Sequence, residues 1–105
     1  MILERYITRG IANSLPAALQ QQLWQLVEQR ENEQSKKLED IDYFHIFRFN
    51  MKNSQLYVEH RQERPDYTKI HDARTKQPIK INKVYIIRED NVDLTYYIML
   101  LPEEY

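Results

Sequence analysis

The chain has 105 residues and a mass of 12.9 kDa, the size of one domain, and its 15 Lys and Arg nearly balance its 16 Asp and Glu. The absence of cysteine excludes disulfides and thiolate chemistry, and the single glycine excludes the glycine-rich loops that hold phosphates or dinucleotides. No apolar run approaches the roughly 20 residues that span a bilayer, and no secretory leader is recognisable. We therefore expect a cytoplasmic protein with one domain over residues 1–105.

The N-terminal third of the sequence predicts a strand followed by a helix. Residues 4–9 are rich in strand-forming types, and Gly10 is expected to end that strand. A helix is expected from about residue 16 to 31, with Ser14 as its N-cap. The polar segment 31–40 either extends this helix or forms a loop. The apolar positions that recur at the helical period are Leu15, Leu19, Leu23, Leu26 and Val27.

The remainder of the chain predicts strands. Residues 41–49 and 55–61 are expected to form a hairpin around a turn from Asn50 to Ser54. Residues 66–78 read as irregular, and a second hairpin is expected from strands at 79–88 and 94–101. The expected fold class is α+β, with one N-terminal helix packed on a mainly antiparallel sheet of about five strands, in the order β-α-β-β-β-β.

Alternation along residues 41–49 divides the side chains of that strand between two partly apolar faces, which is typical of a central strand. In a hairpin turning near residue 52, His45 and His60 are expected to be opposite each other or one position apart. A packed core role is favoured for His45, because it belongs to an otherwise apolar face, over a role as metal ligand or general base. One face carries Ile41, Tyr43, His45, Phe47 and Phe49, and the other carries Asp42, Phe44, Ile46 and Arg48.

Charge is segregated along the chain although the total is close to zero. The segment 60–83 carries a net charge of +4, whereas 89–105 carries −5 and 28–42 carries −3. These segments either neutralise one another on folding or mark binding surfaces. If they mark binding surfaces, the basic segment is a phosphate-binding region with Tyr57 or Tyr67 as a stacking platform. The acidic end is then a surface for a basic protein groove.

Two aromatic features add candidates for contact with a partner. Trp24 lies beside the apolar stripe of the helix, so it belongs either to the core or, if exposed, to an interaction hot spot. The terminal segment 101–105 is acidic and ends in Tyr105, and it either folds back on the sheet or docks into a partner. An exposed sheet edge is compatible with a homodimer, but no residue argues specifically for one.

Several segments, taken in their order along nearly the whole chain, resemble the domain of unknown function 960 family of low-GC Gram-positive bacteria. The family has no established activity or cofactor, and its members also occur on mobile elements, including staphylococcal cassette chromosomes. Because small proteins of such elements often inhibit or adapt host enzymes, the resemblance implies an interaction role of this kind. The segments are RYITRGI at 5–11, Leu15-Pro16, Leu19-Gln20, Leu23-Trp24, DYFHIF at 42–47, HRQERPDY at 60–67 and LLPEEY at 100–105.

The sequence therefore predicts a small non-enzymatic interaction protein, an inhibitor or adaptor of a host protein encoded on mobile DNA. The alternative is a nucleic-acid-binding module that uses residues 60–83. No catalytic, cofactor-binding or metal-binding residues are predicted, and the expected partner is another protein, with nucleic acid as the second choice. The candidate interaction residues are Trp24, His60, Arg61, Gln62, Arg64, Tyr67, Glu103, Glu104 and Tyr105.

Overall fold

The protein is an α+β domain with six strands, seen in a computed structural model that describes residues 4–37 and 41–105. The α+β class and the mainly antiparallel sheet are confirmed, whereas the expected count of about five strands is too low by one. The elements are β1 (Arg5–Ile7), α1 (Arg9–Ser14), α2 (Ala17–Lys36), β2 (Phe44–Lys52), β3 (Gln55–Glu63), β4 (Asp66–Asp72), β5 (Lys83–Asp90), β6 (Thr95–Leu100) and a final 3₁₀ turn (Pro102–Glu104).

The N-terminal helix begins differently from the sequence prediction. Ser14 is the last residue of the short helix α1, and α2 starts after Pro16 without a side-chain cap. The side-chain oxygen of Thr8 caps α1 by accepting from the backbone N–H of Ile11, so the preceding strand stops before Gly10. Helix α2 then continues to Lys36, beyond the expected end, and residues 38–40 lie outside the described part of the chain.

Gly10 lies inside α1, and close packing explains its identity. A Cβ atom at this position would lie 2.7 Å from Cδ1 of Leu101 and 2.8 Å from Oε2 of Glu104. The 3₁₀ turn therefore packs directly on the backbone of α1, which a larger residue would push away. This contact fixes the end of the chain beside the start of the fold.

The sheet has the strand order β1-β6-β5-β2-β3-β4, with β1 parallel to β6 and every other pair antiparallel. The expected turn from Asn50 to Ser54 is shorter than predicted. Strand β2 runs on to Lys52, and Asn53 and Ser54, with φ angles of 54° and 65°, form a two-residue hairpin turn. This turn pairs Phe47 with His60, so His45 lies diagonally from His60 instead of opposite or next to it.

Strand β4 corrects the prediction that residues 66–78 are wholly irregular. It pairs with β3 along its full length at the edge of the sheet, and its side chains are exposed or half-buried on both faces. A strand that buries neither face needs no apolar alternation, which is why its sequence carries no strand pattern. The connection from Ala73 to Asn82, between β4 and β5, contains neither helix nor strand.

The core lies between the helices and one face of the sheet. In the part of the chain that is described, no helix is long and apolar enough to cross a membrane. Neither α1 nor α2, the two α-helices of the described residues, covers the opposite face of the sheet, which we call the open face. The helices contribute Ile11, Leu15, Leu19, Leu23, Trp24, Leu26 and Val27 to the core, and the sheet contributes Phe47, Phe49, Leu56, Val58, Val84, Ile86, Tyr97 and Met99.

Candidate functional site

Three of the nine residues that the sequence suggested for partner contact lie in the interior. Trp24, His60 and Gln62 are exposed by only 6%, 1% and 0%. Trp24 belongs to the core face of α2, where the guanidinium of Arg5 lies 5.5 Å from its ring, so the core alternative is confirmed. A side chain buried by its own fold cannot contact a partner, so these three residues do not belong to an interaction surface.

A chain of buried hydrogen bonds connects β6, α2, β2 and β3. The Tyr97 hydroxyl donates to Oε1 of Glu31 at 2.5 Å, and Oε2 of Glu31 lies 2.9 Å from Nε2 of His45. The other ring nitrogen of His45, Nδ1, lies 2.9 Å from Nε2 of His60. Burial, followed by the nearby charges of His45, His71 and Arg30, lowers the pKa of His60 to about 2, so His60 is neutral at neutral pH.

A second group of polar contacts surrounds Gln62. Its Oε1 accepts from Nε of Arg30 at 2.7 Å, and its Nε2 donates to the backbone carbonyl of Asp42 at 2.6 Å. The Arg30 guanidinium lies 3.8 Å from the ring centre of Tyr67, whose other neighbour is the ring of His60. Tyr67 is therefore already stacked within the protein, which contradicts its predicted role as a free platform for a base.

These interior groups bind one another and thereby fix α2 to the sheet. Both ring nitrogens of His45 have partners, and the histidine pair lies beside Phe47 in the core. The favoured core role of His45 is thus confirmed. Within residues 4–37 and 41–105, no group of three or more His, Asp or Glu is arranged to hold a metal ion.

The open face carries a groove with a basic rim and an apolar, aromatic floor. Across the sheet, Arg48 of β2 pairs with Lys83 of β5, and Ile46 lies between Tyr85 of β5 and Arg61 of β3. We call this feature, which has a volume of about 430 Å³, the basic groove. Its lining residues are Asp42, Phe44, Ile46, Arg48, Arg61, Glu63, Arg64, Lys83 and Tyr85.

The basic groove is lined by four cations and two acidic side chains, and Glu59 of β3 lies directly opposite Arg48 on the same face. Arg48, Arg61, Arg64 and Lys83 form no ion pair with any residue that the structure describes. One of the two acidic side chains, Asp42, is held by the backbone N–H groups of Phe44, Glu63 and Arg64 at 3.0, 3.3 and 3.2 Å. The groove therefore offers several unsatisfied donors to an anion.

The end of the chain folds back onto the open face. Oε1 of Glu104 accepts from the Thr8 hydroxyl at 2.5 Å and from the Leu101 backbone N–H at 2.9 Å, and these bonds lower the pKa of its carboxyl group. The Tyr105 ring then lies 5.5 Å from Phe44 and 5.7 Å from Tyr85, centre to centre. Of the two alternatives for this tail, folding back is confirmed, yet Tyr105 remains 67% exposed.

The basic segment 60–83 does not form one patch. Arg61, Arg64 and Lys83 reach the basic groove, whereas Lys69 lies on the helix side of β4. The remaining cations of the segment, Arg74, Lys76 and Lys80, are exposed on the connection between β4 and β5. Glu103, another interaction residue predicted from the sequence, is exposed. It lies beside a separate surface depression that is also lined by Lys80, Lys83 and Pro102.

Of the nine lining residues, only Arg61 and Arg64 were selected from the sequence as interaction residues, and Lys83 was included only as part of the basic segment 60–83. Arg48, Lys83, Phe44 and Tyr85 come from β2 and β5, which are neighbours in the sheet although more than 30 residues separate them in the chain. The signal that was present is the alternation along residues 41–49, which placed Phe44 and Arg48 on the face opposite to the core. Nothing local indicates that Lys83 and Tyr85 share that face.

The family model described as "Staphylococcal protein of unknown function (DUF960)" matches residues 4–104. No curated protein is significantly similar to the chain. A crystal structure of a protein of unknown function from Enterococcus faecalis superposes with a TM-score of 0.70 at 21% identity, covering 97% of this chain and 90% of that one. At this identity the superposition establishes the similarity of the fold.

Proposed function

The chain belongs to the staphylococcal family of unknown function (DUF960), and from this premise we propose that it is a non-enzymatic binding protein. The basic groove of the open face is its binding site, and the partner is an anionic polymer. We propose further that it acts in the cytoplasm, as its composition predicts. The earlier expectation of an inhibitor or adaptor encoded on mobile DNA is compatible with this function and stays a prediction.

The observation that carries the proposal is that four cations in one groove have no ion-pair partner among the described residues. Arginine has five N–H donors in a planar fork, which suits carboxylate and phosphate groups, and three of the four cations are arginines. Like charges that converge on one groove repel one another, so an anion that enters relieves this repulsion. The net charge of the whole chain is −1, so the attraction comes from the local arrangement.

The residue types in the groove support binding over catalysis. Among its lining residues there is no histidine or serine to act as base or nucleophile, and Asp42 is committed to three backbone N–H groups. The histidine pair lies on the other side of the sheet, in the core. A site of this composition offers charge and shape to a ligand but no evident proton-transfer pair.

Chromatography on immobilised heparin, a generic polyanion, tests this proposal. We compare the double variant R48Q/R61Q with R74Q/K76Q, which removes the same charge from the exposed connection between β4 and β5. The unaltered protein and R74Q/K76Q are expected to bind at low salt and to elute together, and R48Q/R61Q to elute at lower salt. Equal elution of the two variants, or passage of the unaltered protein through the column, would contradict the proposal.

A further inference from the structure

We propose that the anionic polymer held in the basic groove is a single-stranded nucleic acid. This inference rests on the proposed function and names the partner of the same site. It follows from the combination of cations with one exposed and two half-buried aromatic rings on one open sheet face. An acidic protein segment shares the charge of a nucleic acid but not its flat, stackable bases.

The cations approach the groove from three directions. Arg48 and Lys83 belong to adjacent strands and lie opposite each other, Arg61 lies one strand further along the sheet, and Arg64 follows the end of that strand. Phosphates along a single strand repeat at regular intervals, so cations on several sides of a groove contact successive phosphates. A lone small anion needs only one of them.

The aromatic cluster lies directly beside these cations. The ring centres of Phe44 and Tyr85 are 5.1 Å apart, Tyr105 contacts both rings, and Nζ of Lys83 lies 5.3 Å from the ring centre of Tyr85. Phe44 and Tyr85 therefore have partners within the protein, and Tyr105 is the ring with the largest free surface. Tyr105 is mostly exposed and therefore presents ring surface to a base. Stacking on aromatic side chains is how sheet-based domains hold unpaired bases, and it tolerates any base.

The groove continues beyond its basic centre. A second depression of about 330 Å³ shares Arg48 and Lys83 with the basic groove and adds Phe49, the amide side chains of Asn50 and Asn82, and the carboxylate of Glu59. Amides both donate and accept hydrogen bonds, so they suit base edges and sugar hydroxyls. Because Arg48 and Lys83 line both depressions, the two are adjacent on the open face.

The geometry points to a single strand over a duplex. In a duplex the bases are stacked on one another and paired, so their faces are not available to Phe44, Tyr85 and Tyr105. The rings contribute to affinity only when bases are free to leave the stack. Among nucleic acids, the site therefore selects for unpaired strands, and only the charged contacts remain for duplexes.

Fluorescence anisotropy with a labelled oligothymidylate of about 12 nucleotides tests the inference. The probe is compared, at about 50 mM and about 200 mM salt, with a duplex of the same length and with a polyglutamate peptide. Two variants address the two halves of the site: R48Q/R61Q removes charge, and Tyr105→Leu removes the exposed ring. R74Q/K76Q is the charge-matched control, and thermal melting checks that every variant is folded.

We expect the single strand to bind more tightly than the duplex and the peptide. R48Q/R61Q weakens binding about tenfold or more and reduces the salt slope by about 1.4, the value for two lost phosphate contacts. Tyr105→Leu weakens binding to the single strand about fivefold or more and leaves duplex binding unchanged. R74Q/K76Q binds as the unaltered protein does.

Other outcomes separate the inference from the proposed function. Binding of polyglutamate but not of the oligonucleotide overturns the nucleic-acid assignment and leaves an anion-binding groove. Equal affinity for duplex and single strand overturns the role of the aromatic rings. Failure of all three probes at low salt overturns both the inference and the proposed function.

Discussion

Nδ1 of His45 lies 2.9 Å from Nε2 of His60, so two buried imidazoles share one hydrogen bond. Nε2 of His45 donates to the carboxylate of Glu31, and in the bond between the two rings one nitrogen donates and the other accepts. Burial disfavours the charged form of His60, so protonation of His60 opposes folding. The stability of the core therefore depends on pH.

The first prediction concerns this pH dependence. The folded pKa of His60 is lowered to about 2 by burial, whereas an unfolded histidine titrates near 6.5. Between these values the unfolded state binds one more proton, so the contribution is fully present above about pH 6.5 and is lost as the pH falls. The free energy of unfolding should decrease by about 1.4 kcal/mol per pH unit from this group, measured by urea unfolding from about pH 7 to about pH 5.

His60→Gln provides the control for that measurement, because glutamine retains an N–H donor for His45 but does not titrate. As the pH falls, the unaltered protein should lose more unfolding free energy than His60→Gln. Any advantage of the unaltered protein at neutral pH should therefore shrink, or pass to the variant. Parallel pH profiles for the unaltered protein and His60→Gln would show that His60 does not carry the effect.

The second prediction concerns the hydroxyl of Tyr97. Tyr97→Phe removes the donor to Glu31 and leaves a charged acceptor with one partner fewer in a mostly buried place. We expect a loss of about 1–3 kcal/mol in the free energy of unfolding. Tyr96→Phe is the matched control, because Tyr96 is adjacent but lies on the open face, and it should change stability by less than about 0.5 kcal/mol. Equal losses in denaturant unfolding would refute the assignment.

The third prediction concerns Arg30, which is buried between Gln62 and the ring of Tyr67. Arg30→Ala should lower the free energy of unfolding by about 3 kcal/mol, because it leaves Gln62 without its donor and removes packing from the core. Arg30→Lys should recover little of this lost free energy, since an ammonium group reproduces neither the planar stack nor the Nε donor.

Arg5→Ala serves as the comparison for Arg30. The ion pair of Arg5 with Glu28 spans 3.6 Å at the surface, and such pairs contribute at most about 1 kcal/mol. Chemical denaturation of Arg30→Ala, Arg30→Lys and Arg5→Ala measures the loss of unfolding free energy in each and so tests this ranking. An Arg5→Ala loss as large as that of Arg30→Ala would contradict the importance assigned to the buried contacts.

The fourth prediction concerns the attachment of the chain terminus. Glu104→Gln replaces a carboxylate that accepts from Thr8, Gly10 and Leu101 by an amide with only one acceptor atom. We expect a loss of about 1 kcal/mol, comparable to the loss of a helix cap, and faster hydrogen exchange at the backbone N–H groups of Glu104 and Tyr105. Glu103→Gln, at an exposed neighbour, should leave the exchange rates unchanged. Equal effects of both variants would show that the terminus is held in another way.

The parts of the fold that the sequence predicts are those with local periodicity. The apolar stripe from Leu19 to Val27 recurs at the helical period, and the alternation along residues 41–49 separates His45 and Phe47 from Phe44 and Arg48. The structure confirms both patterns, because the buried side chains of α2 and of β2 lie on one face of each element. The polar segment after residue 31 suits both an extended helix and a loop, and the structure decides for the helix as far as Lys36.

The remaining features of the fold and of the candidate site depend on contacts between segments that are distant in the sequence. Strand β4 buries neither face, so Asp66–Asp72 lacks the alternation that identifies a strand. The basic groove requires that β5 pairs with β2 in a register that places Lys83 opposite Arg48, and no single segment encodes that pairing. Conversely, His60 and Gln62 looked like surface residues of a charged segment because their burial depends on Arg30 and His45, far away in the sequence.

The most direct test of the central claim is a titration of backbone amide NMR signals with the short oligothymidylate. If the open face binds the strand, the largest shifts occur in β2, β3 and β5, around Arg48, Arg61 and Tyr85, and at Tyr105. The amide signals of α2, which lies on the other side of the sheet, do not shift. Shifts confined to α2 or to the connection that holds Arg74, or no shifts at low salt, would contradict the claim that the basic groove is the binding site.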